Sequence, residues 1–127
     1  MENFLYLCSV IIYNDRMRNL KILYSEEVND FLSELAEKPK RKILYNMGLI
    51  AGGKIDNELF KKLANTDIWE FRTCYSGVWY RLLAFWDTGA LIVTTHGFCK
   101  KSNKTPQKEI DKAIAIRKEY FNQKKSK

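Results

Sequence analysis

The sequence is poor in the residues that form covalent cross-links and metal centres. It contains three cysteines and one histidine among 127 residues. Cys8, Cys74 and Cys99 are widely spaced, and no C-x-x-C pair occurs. An odd number of isolated thiols argues against a disulfide framework and predicts reduced cysteines in the cytoplasm. A single histidine without a close ligand pair gives no support for a structural zinc site.

The sequence also lacks an apolar stretch of membrane-spanning length. The run Phe4–Tyr13 is nearly unbroken but covers only ten residues, which is too short to cross a bilayer. No basic residue precedes this run and no convincing cleavage site follows it, so a signal peptide is not expected. We expect residues 1–16 to be a non-essential N-terminal extension and Met17 to be a candidate start.

The motifs of several enzyme classes are missing. There is no Walker A loop, no G-x-G-x-x-G, no H-E-x-x-H and no G-x-S-x-G, and each of these places particular groups around a phosphate, a metal or a nucleophile. The acidic residues are scattered, so none form a cluster that could hold Mg²⁺ for two-metal phosphoryl transfer. We therefore expect a chemistry that uses neither a metal nor a cofactor.

Positive charge is concentrated at one end of the chain. The composition is that of a globular protein, with 46% hydrophobic and 29% charged residues and a net charge of +7. Residues 99–127 contain ten Lys or Arg and three Asp or Glu, whereas the other residues contain twelve of each. An uneven excess of this kind is typical of a surface that binds a polyanion.

The first half of the chain predicts a strand followed by two helices. Leu20–Tyr24 has the composition of a short strand, and Ser25 is suited to cap the helix that follows. Pro39 fits the first turn of a second helix, and Gly52 and Gly53 end it. We expect the two helices to form an antiparallel hairpin. Residues 55–67 are interpreted as a polar connector.

The second half predicts three consecutive strands and a final helix. The strands are Ile68–Tyr75, the almost wholly apolar Val78–Trp86, and Ala90–Cys99. A basic loop, Lys100–Lys104, follows. The last helix is expected to begin with Thr105 as its N-cap and Pro106 as its first residue, to run to about Phe121, and to face inward with Ile110, Ala113, Ile114 and Tyr120 or Phe121. Together these elements predict one α+β domain over residues 1–127: a compact antiparallel β-meander packed on an N-terminal helical hairpin and a C-terminal helix.

Arg81 is the most informative residue because it is the only charge in the strand Val78–Trp86. A charge in a buried strand is unfavourable unless it is paired or serves a binding site. One interpretation is therefore a structural arginine bonded to Asp67, Glu70 or a backbone carbonyl. The other interpretation is an anion-binding arginine.

Strand register favours the anion-binding interpretation. A two-residue turn at Ser76-Gly77 places Arg72 opposite Arg81, and a two-residue turn at Thr88-Gly89 places His96 opposite Arg81 as well. Like charges directly opposite each other are tolerated most readily where an anion binds. A bulge at Gly89 would change this register for His96, and a lone histidine in an apolar strand is more often a core residue.

Further basic and aromatic residues surround this row. The loop Lys100–Lys104 leads into a helix N-terminus, which is a place suited to phosphate. Trp79 and Tyr75 offer surfaces for base stacking. The pair Lys61-Lys62 is a weaker signal, since a solvated connector explains it equally well.

Several short pieces of the sequence, taken in order, resemble a known family. They are Phe60-Lys61-Lys62-Leu63, Asp67-Ile68-Trp69-Glu70-Phe71-Arg72, Tyr80-Arg81-Leu82-Leu83, His96-Gly97-Phe98-Cys99-Lys100-Lys101, and Lys104-Thr105-Pro106 with Glu109, Ile110 and Ala113. The ordered set resembles a phage-derived family of small toxin-like proteins, a branch of the RelE/ParE toxin superfamily close to the HigB toxins. The resemblance covers roughly Leu20 to Phe121.

This resemblance implies a RelE-like fold and the toxin of a type II toxin–antitoxin pair. Its partners would be mRNA, bound on the ribosome, and a HigA-like helix-turn-helix antitoxin, with no membrane involved. The implied activity is metal-independent cleavage of mRNA, in which the ribose 2′-hydroxyl attacks the adjacent phosphate. By position, the resemblance and the register suggest the catalytic candidates Arg81, Lys101, Lys104 and His96, and the substrate-binding candidates Arg72, Lys100, Lys62 and Trp79.

The sequence departs from the best-studied members of that superfamily at two places. Lys104 stands near the point where they carry a tyrosine or histidine, and Ile68 and Glu70 replace paired lysines. These differences leave the general base and the general acid unassigned. Two alternatives therefore stay open: a ParE-like inhibitor of DNA gyrase that cuts nothing, and a non-catalytic RNA-binding module.

Overall fold

The computed structural model describes residues 20–125, so the predictions for residues 1–16, for Cys8 and for Met17 as a candidate start lie outside the described residues. Cys74 and Cys99 are free thiols, as predicted for these two. Between residues 20 and 125, no helix combines the length and the apolar composition that crossing a membrane requires.

The described residues form a mixed α+β fold around one five-stranded sheet. The strands are β1 (Lys21–Leu23), β2 (Phe60–Lys62), β3 (Trp69–Tyr75), β4 (Val78–Trp86) and β5 (Leu91–Lys100), and the helices are α1 (Glu26–Ser33), α2 (Glu37–Ala51) and α3 (Gln107–Lys125). In the sheet the strands lie in the order β1-β5-β4-β3-β2. The predicted meander β3-β4-β5 is confirmed.

Two features of the sheet differ from the sequence-based prediction. β1 pairs with β5 in parallel, so the sheet is not purely antiparallel; α1 and α2 lie between β1 and the rest of the sheet in the chain. The segment predicted to be a polar connector contains β2, which pairs antiparallel with the first residues of β3. Phe60 is fully buried, whereas Lys61 and Lys62 are exposed. Three residues are too few to show a strand pattern.

α1 and α2 lie on one face of the sheet, and their ends follow the sequence signals. The hydroxyl of Ser25 accepts a hydrogen bond from the backbone N–H of Val28 at 3.1 Å, as expected of an N-cap. Pro39 lies in the first turn of α2 and Gly52 caps its end, as predicted. α1 packs against β5 and α2 against β3, so both helices pack chiefly on the sheet.

α3 covers the opposite face, and its start differs from the prediction. The helix begins at Gln107, and the carbonyl of Pro106 accepts the first hydrogen bonds. Thr105 does not act as the predicted cap because its hydroxyl is bonded elsewhere, as described below. Ile114 was expected to face inward, but it is 43% exposed. Ala113 and Tyr120, which were also predicted to face inward, are the buried residues of α3, and the helix extends to Lys125 rather than ending near Phe121.

The register within the meander is confirmed on one side of β4 and wrong on the other. Ser76 and Gly77 form the predicted two-residue turn, with φ of 53° and 81°, and Arg72 lies opposite Arg81. Arg81, however, lies opposite Phe98 rather than His96. The connection after β4 is longer than two residues, and an irregularity between Leu82 and Ala84 shifts the pairing again.

Because the two shifts add up to an even number of residues, the side chains of β5 stay on the predicted face of the sheet. His96 therefore still lies on the side of Arg81, two residues before Phe98, and its ring stacks on that of Phe98 with 6.0 Å between centroids. The predicted row of three side chains does not form, but all three lie on the face covered by α3.

Candidate functional site

A charged cluster is buried on the α3 face of the sheet. Nε of Arg72 lies 3.3 Å from Oε1 of Glu70, and Nε of Arg81 lies 3.2 Å from Oε2 of Glu70. The hydroxyl of Thr105 donates a hydrogen bond to the same carboxylate. Arg81 is 0% exposed and Glu70 is 2% exposed. The cluster exists because alternate residues of β3 point to one face, and β4 places Arg81 directly beside them.

The segment 101–106 lies over this cluster and is hydrogen-bonded to it. The backbone carbonyl of Ser102 accepts from Nη1 of Arg81 at 3.0 Å. The side-chain carbonyl of Asn103 accepts from Nη2 of Arg72 at 3.2 Å. The two arginines are thus in contact with the basic loop, and the loop covers the more deeply buried of them.

Trp79 completes the cluster from the strand side. Its ring lies under both guanidinium groups, with Cζ of Arg72 at 5.0 Å and Cζ of Arg81 at 5.4 Å from the ring centroid. The indole is only partly buried. Contacts at this range are favourable cation–π interactions, and they help to hold two like charges side by side.

The hydrogen-bonding capacity of Arg81 is not used up by these contacts. Its Nε and Nη2 are buried and have no hydrogen-bond partner, even though Nε lies within ion-pair distance of Glu70. The ion pair therefore neutralises charge without an aligned hydrogen bond. Burial lowers the pKa of Arg81 below its ordinary value, but a guanidinium remains charged. Buried donors without partners are rare, and a missing ligand is one explanation for them.

His96 has a separate environment deeper under α3. Its Nδ1 lies 3.0 Å from the hydroxyl of Thr95, and its Nε2 lies 3.0 Å from Oε1 of Glu109 on α3. The residue is 2% exposed. Burial lowers the pKa of His96, and this effect outweighs the opposing hydrogen bond to Glu109. In this conformation His96 joins β5 to α3 and does not reach the surface.

The depressed pKa of His96 predicts a pH dependence of stability. The unfolded chain takes up a proton near pH 6.5, whereas the folded chain does so only at lower pH. Above pH 6.5 the neutral ring therefore contributes its full stability. As the pH falls from 6.5 toward the folded-state pKa, the free energy of unfolding decreases by at most about 1.4 kcal/mol per pH unit. Urea unfolding at pH 7.5 and 5.5 should show this loss in the wild type. His96→Gln should remove most of the difference, and a difference that persists in this variant would belong to other groups.

The remaining predicted site residues lie at the surface around the cluster. Lys100 is the last residue of β5 and pairs with Trp79. Lys101 and Lys104 are exposed on the segment that covers the arginines. Lys62 lines a cleft of about 470 Å³ together with Arg72. The fold thus brings seven of the eight predicted residues to one region, on or around the arginine cluster, and buries His96 apart from them.

No role in the site was predicted for three groups that shape it. Glu70 was named as one of several possible partners for Arg81 and as a departure from the superfamily pattern, and Ser102 and Thr105 were not expected to contact the arginines or Glu70. One signal was available: Glu70 and Arg72 alternate on one face of β3, directly beside Arg81. No sequence pattern predicts the contacts of the loop with the arginines, because loop backbone contacts are not periodic.

Together, the fold and the site define a small α+β protein in which a buried arginine and a partly buried one lie beneath a basic loop. Comparison with protein families matches residues 30–118 to the model described as phage derived protein Gp49-like. The chain therefore belongs to the Gp49-like family of phage-derived proteins. No curated protein matches it. Among residues 20–125, no group of three or more His, Cys, Asp or Glu side chains is arranged to hold a metal ion.

Proposed function

We propose that this protein is the toxin of a type II toxin–antitoxin system and a metal-independent, ribosome-dependent mRNA endoribonuclease of RelE-like fold, close to the HigB toxins. The observation that carries the proposal is Arg81, whose buried Nε and Nη2 lack acceptors while a basic loop lies directly above them. A phosphate would provide the missing acceptors. Membership of the Gp49-like family, in general a family of RelE/HigB-like toxins, supports the same function.

The proposed reaction needs positioning and charge stabilisation from the protein. The ribose 2′-hydroxyl loses its proton and attacks the adjacent phosphorus, and the bond to the 5′-oxygen breaks as that oxygen gains a proton. Arg72 and Arg81 would stabilise the charge on the phosphoryl oxygens. Lys101 and Lys104, exposed on the covering segment, are the candidates for proton transfer and for contacts with the flanking phosphates.

The segment 101–106 must move for a phosphate to reach Arg81. Ser102 holds it to Arg81 by one hydrogen bond, Asn103 holds it to Arg72 by another, and Thr105 holds it to Glu70. Each of these bonds involves one charged group and contributes roughly 1.5–3 kcal/mol, so an incoming phosphate has to replace them as the segment moves. The negative charge of RNA can replace each acceptor that the loop provides to the arginines. In this proposal His96 positions β5 and α3 and does not contact RNA.

The closed cluster supports one alternative. With Arg81 paired to Glu70 and covered by the loop, the partly buried Arg72 and the exposed Lys100, Lys101 and Lys104 could bind RNA without cutting it. This is the non-catalytic RNA-binding module. The ParE-like inhibition of DNA gyrase needs no buried phosphate-binding group and is favoured by no contact described above.

Expression of the chain without an antitoxin should arrest growth, and cellular mRNA should shorten within minutes. The physical reason is the arginine cluster, which is suited to a phosphoryl transition state. The measurement is mRNA length by sequencing of fragment ends, together with plasmid supercoiling.

Growth arrest with intact mRNA and altered supercoiling would identify a gyrase inhibitor. RNA binding without arrest or cleavage would identify the RNA-binding module. Co-expression of a helix-turn-helix protein encoded in the adjacent gene should restore growth.

A chelator tests the metal independence of cleavage separately. Cleavage in purified components should continue in excess EDTA, provided that the ribosomes are kept intact by other means. If cleavage stopped and returned only when a metal bound to this protein, the proposed chemistry would be wrong.

A further inference from the structure

A second cleft lies on α2, outside the cluster described above. It has a volume of about 430 Å³ and is lined by Lys38, Arg41, Lys42, Tyr45 and Tyr75. Tyr45 is 66% exposed, which is the largest value for a large hydrophobic side chain within residues 20–125. Two tyrosine rings beside three cations form a surface of the kind on which nucleic-acid bases stack and phosphates bind.

This α2 cleft is connected to the arginine cluster through a smaller cleft. The smaller cleft, about 210 Å³ in volume, shares Lys42 with the α2 cleft and also contains Arg72 and Trp79. Arg72 in turn lines the cleft that contains Lys62. Neighbouring clefts share lining side chains, Lys42 in one case and Arg72 with Glu58 in the other, and therefore lie next to one another. We call this series of clefts, which extends from α2 to β2 beside the arginine cluster, the path.

The charge of this path is strongly positive. Its described lining residues include six cations and one acid, Glu58; the cations are Lys38, Arg41, Lys42, Lys61, Lys62 and Arg72. The ion pair between Arg41 and Glu37 is exposed on both sides, so it is weak and leaves Arg41 available to a phosphate. The lining also includes four aromatic side chains, namely Tyr45, Tyr75, Trp79 and Trp69.

The path runs along the end of β3 that β2 does not cover. β2 pairs only with residues 69–71, so no strand within residues 20–125 pairs with Thr73 to Tyr75 on that side. An extended peptide could in principle add a strand there, but Nζ of Lys42 donates to the carbonyl of Cys74 at 2.7 Å. Lys42 lies on α2, and its ammonium group thus occupies an edge carbonyl of β3 with which an added strand would pair; a positive charge at a sheet edge opposes strand addition. The path therefore fits a ligand that binds through base stacking and phosphate charge better than a peptide that binds by backbone pairing.

We infer that the α2 cleft is a second binding subsite for single-stranded RNA, in which a base stacks on Tyr45 and Tyr75 and the flanking phosphates contact Arg41 and Lys38. This inference rests on the proposed function, because the same strand reaches the arginine cluster through the cleft at Lys42. The subsite extends the substrate from the cleavage point to several neighbouring nucleotides of an unpaired strand.

The test uses the full chain and 2′-O-methylated single-stranded RNA, which has no free 2′-hydroxyl to attack. Affinity is measured by fluorescence anisotropy for a strand of about 12 nucleotides, within the range of single-strand sites, and for a trinucleotide. Tyr45→Ala should weaken binding of the longer strand by roughly five- to tenfold, the lower end expected for one stacked base. It should not change binding of the trinucleotide, which can occupy the arginine cluster alone.

Two variants and one modified strand serve as controls. Tyr45→Phe keeps the ring and should bind like the wild type, whereas Ile114→Ala removes an exposed apolar side chain on the opposite face and should have no effect. A strand with abasic residues in place of its bases should bind more weakly to the wild type. Tyr45→Ala should weaken binding of the abasic strand little further, because the stacking contact needs both the ring and the base.

The outcomes separate this inference from the proposed function. If the wild type binds both strands and Tyr45→Ala changes neither affinity, the α2 subsite is wrong and the arginine cluster remains. If the wild type binds neither strand at low salt, RNA binding itself is wrong. If Tyr45→Ala leaves RNA binding intact but weakens binding of a poly-glutamate peptide, the α2 cleft is a surface for an acidic protein and the inference is overturned.

Discussion

Arg81→Lys is expected to lower the rate of mRNA cleavage by on the order of 10³-fold, the size of effect seen when a transition-state arginine is lost. A guanidinium can form two parallel hydrogen bonds to a phosphate, and an ammonium group cannot reproduce that geometry. The measurement is the single-turnover rate on a ribosome-bound mRNA, with growth arrest as a cellular readout. Arg72→Lys should have a smaller effect, because Arg72 lies one strand further out and its side chain is more exposed than that of Arg81.

The stability of the Arg81→Lys variant must be measured as a control, because Arg81 also has a structural role. The residue is fully buried, paired with Glu70 and bonded to Ser102. Thermal unfolding and antitoxin binding should be measured on the same sample as cleavage. A folded variant that binds antitoxin but does not cleave supports the phosphate-binding role. A folded and fully active variant would remove Arg81 from the site, and loss of activity that only follows unfolding would make the residue structural.

Glu70→Gln is expected to destabilise the protein by roughly 3–5 kcal/mol, because it removes the carboxylate that lies between the buried Arg81 and the partly buried Arg72 and leaves their charges uncompensated. The side chain of Glu70 is 3% exposed, so solvent cannot replace the lost charge. The measurement is the free energy of unfolding in urea. A matched control is Glu37→Gln, which breaks the exposed ion pair with Arg41 and should change stability little.

A double variant shows whether the effect comes from the ion pair itself. Arg81→Met removes the buried charge that Glu70 balances. In the Glu70→Gln background it should recover part of the lost stability, because an apolar side chain replaces an unpaired charge. Additive losses in the double variant would contradict a coupled pair. A stable Glu70→Gln protein would show that Thr105 and the loop can hold the cluster without the carboxylate.

Local structure was largely predictable, because it depends on neighbouring residues. Ser25 as a cap, Gly52 as a stop and Ser76-Gly77 as a turn are each specified by the backbone preferences of one or two residues. The pairing of Arg72 with Arg81 followed from that turn, since a two-residue turn determines the register of the strands it joins. The location of positive charge near the end of the chain followed from composition alone.

Features that depend on distant contacts were not predictable in the same way. The register of His96 changed because a longer connection and a strand irregularity each shifted the pairing, and neither has a clear signal in the sequence. The strand β2 is only three residues long, so its pattern could not be distinguished from a loop. Ile114 was assigned to the core by its apolar side chain, but the rotation of α3 on the sheet directs it to solvent.

The sequence by itself determined that an isolated arginine would lie in a central strand, that a second arginine would lie opposite it, and that a basic loop would follow the meander. Only the tertiary structure decided that Glu70 lies between the two arginines, that residues 101–106 cover them, and that Tyr45 and Tyr75 meet beside Lys42. The physical reason is the range of the interactions. Turns, caps and strand alternation act over a few residues, whereas an ion pair, a loop contact or a cleft depends on how separate elements pack. Tyr45 lies on α2 and Tyr75 on β3, and they line the same cleft because α2 packs on the sheet.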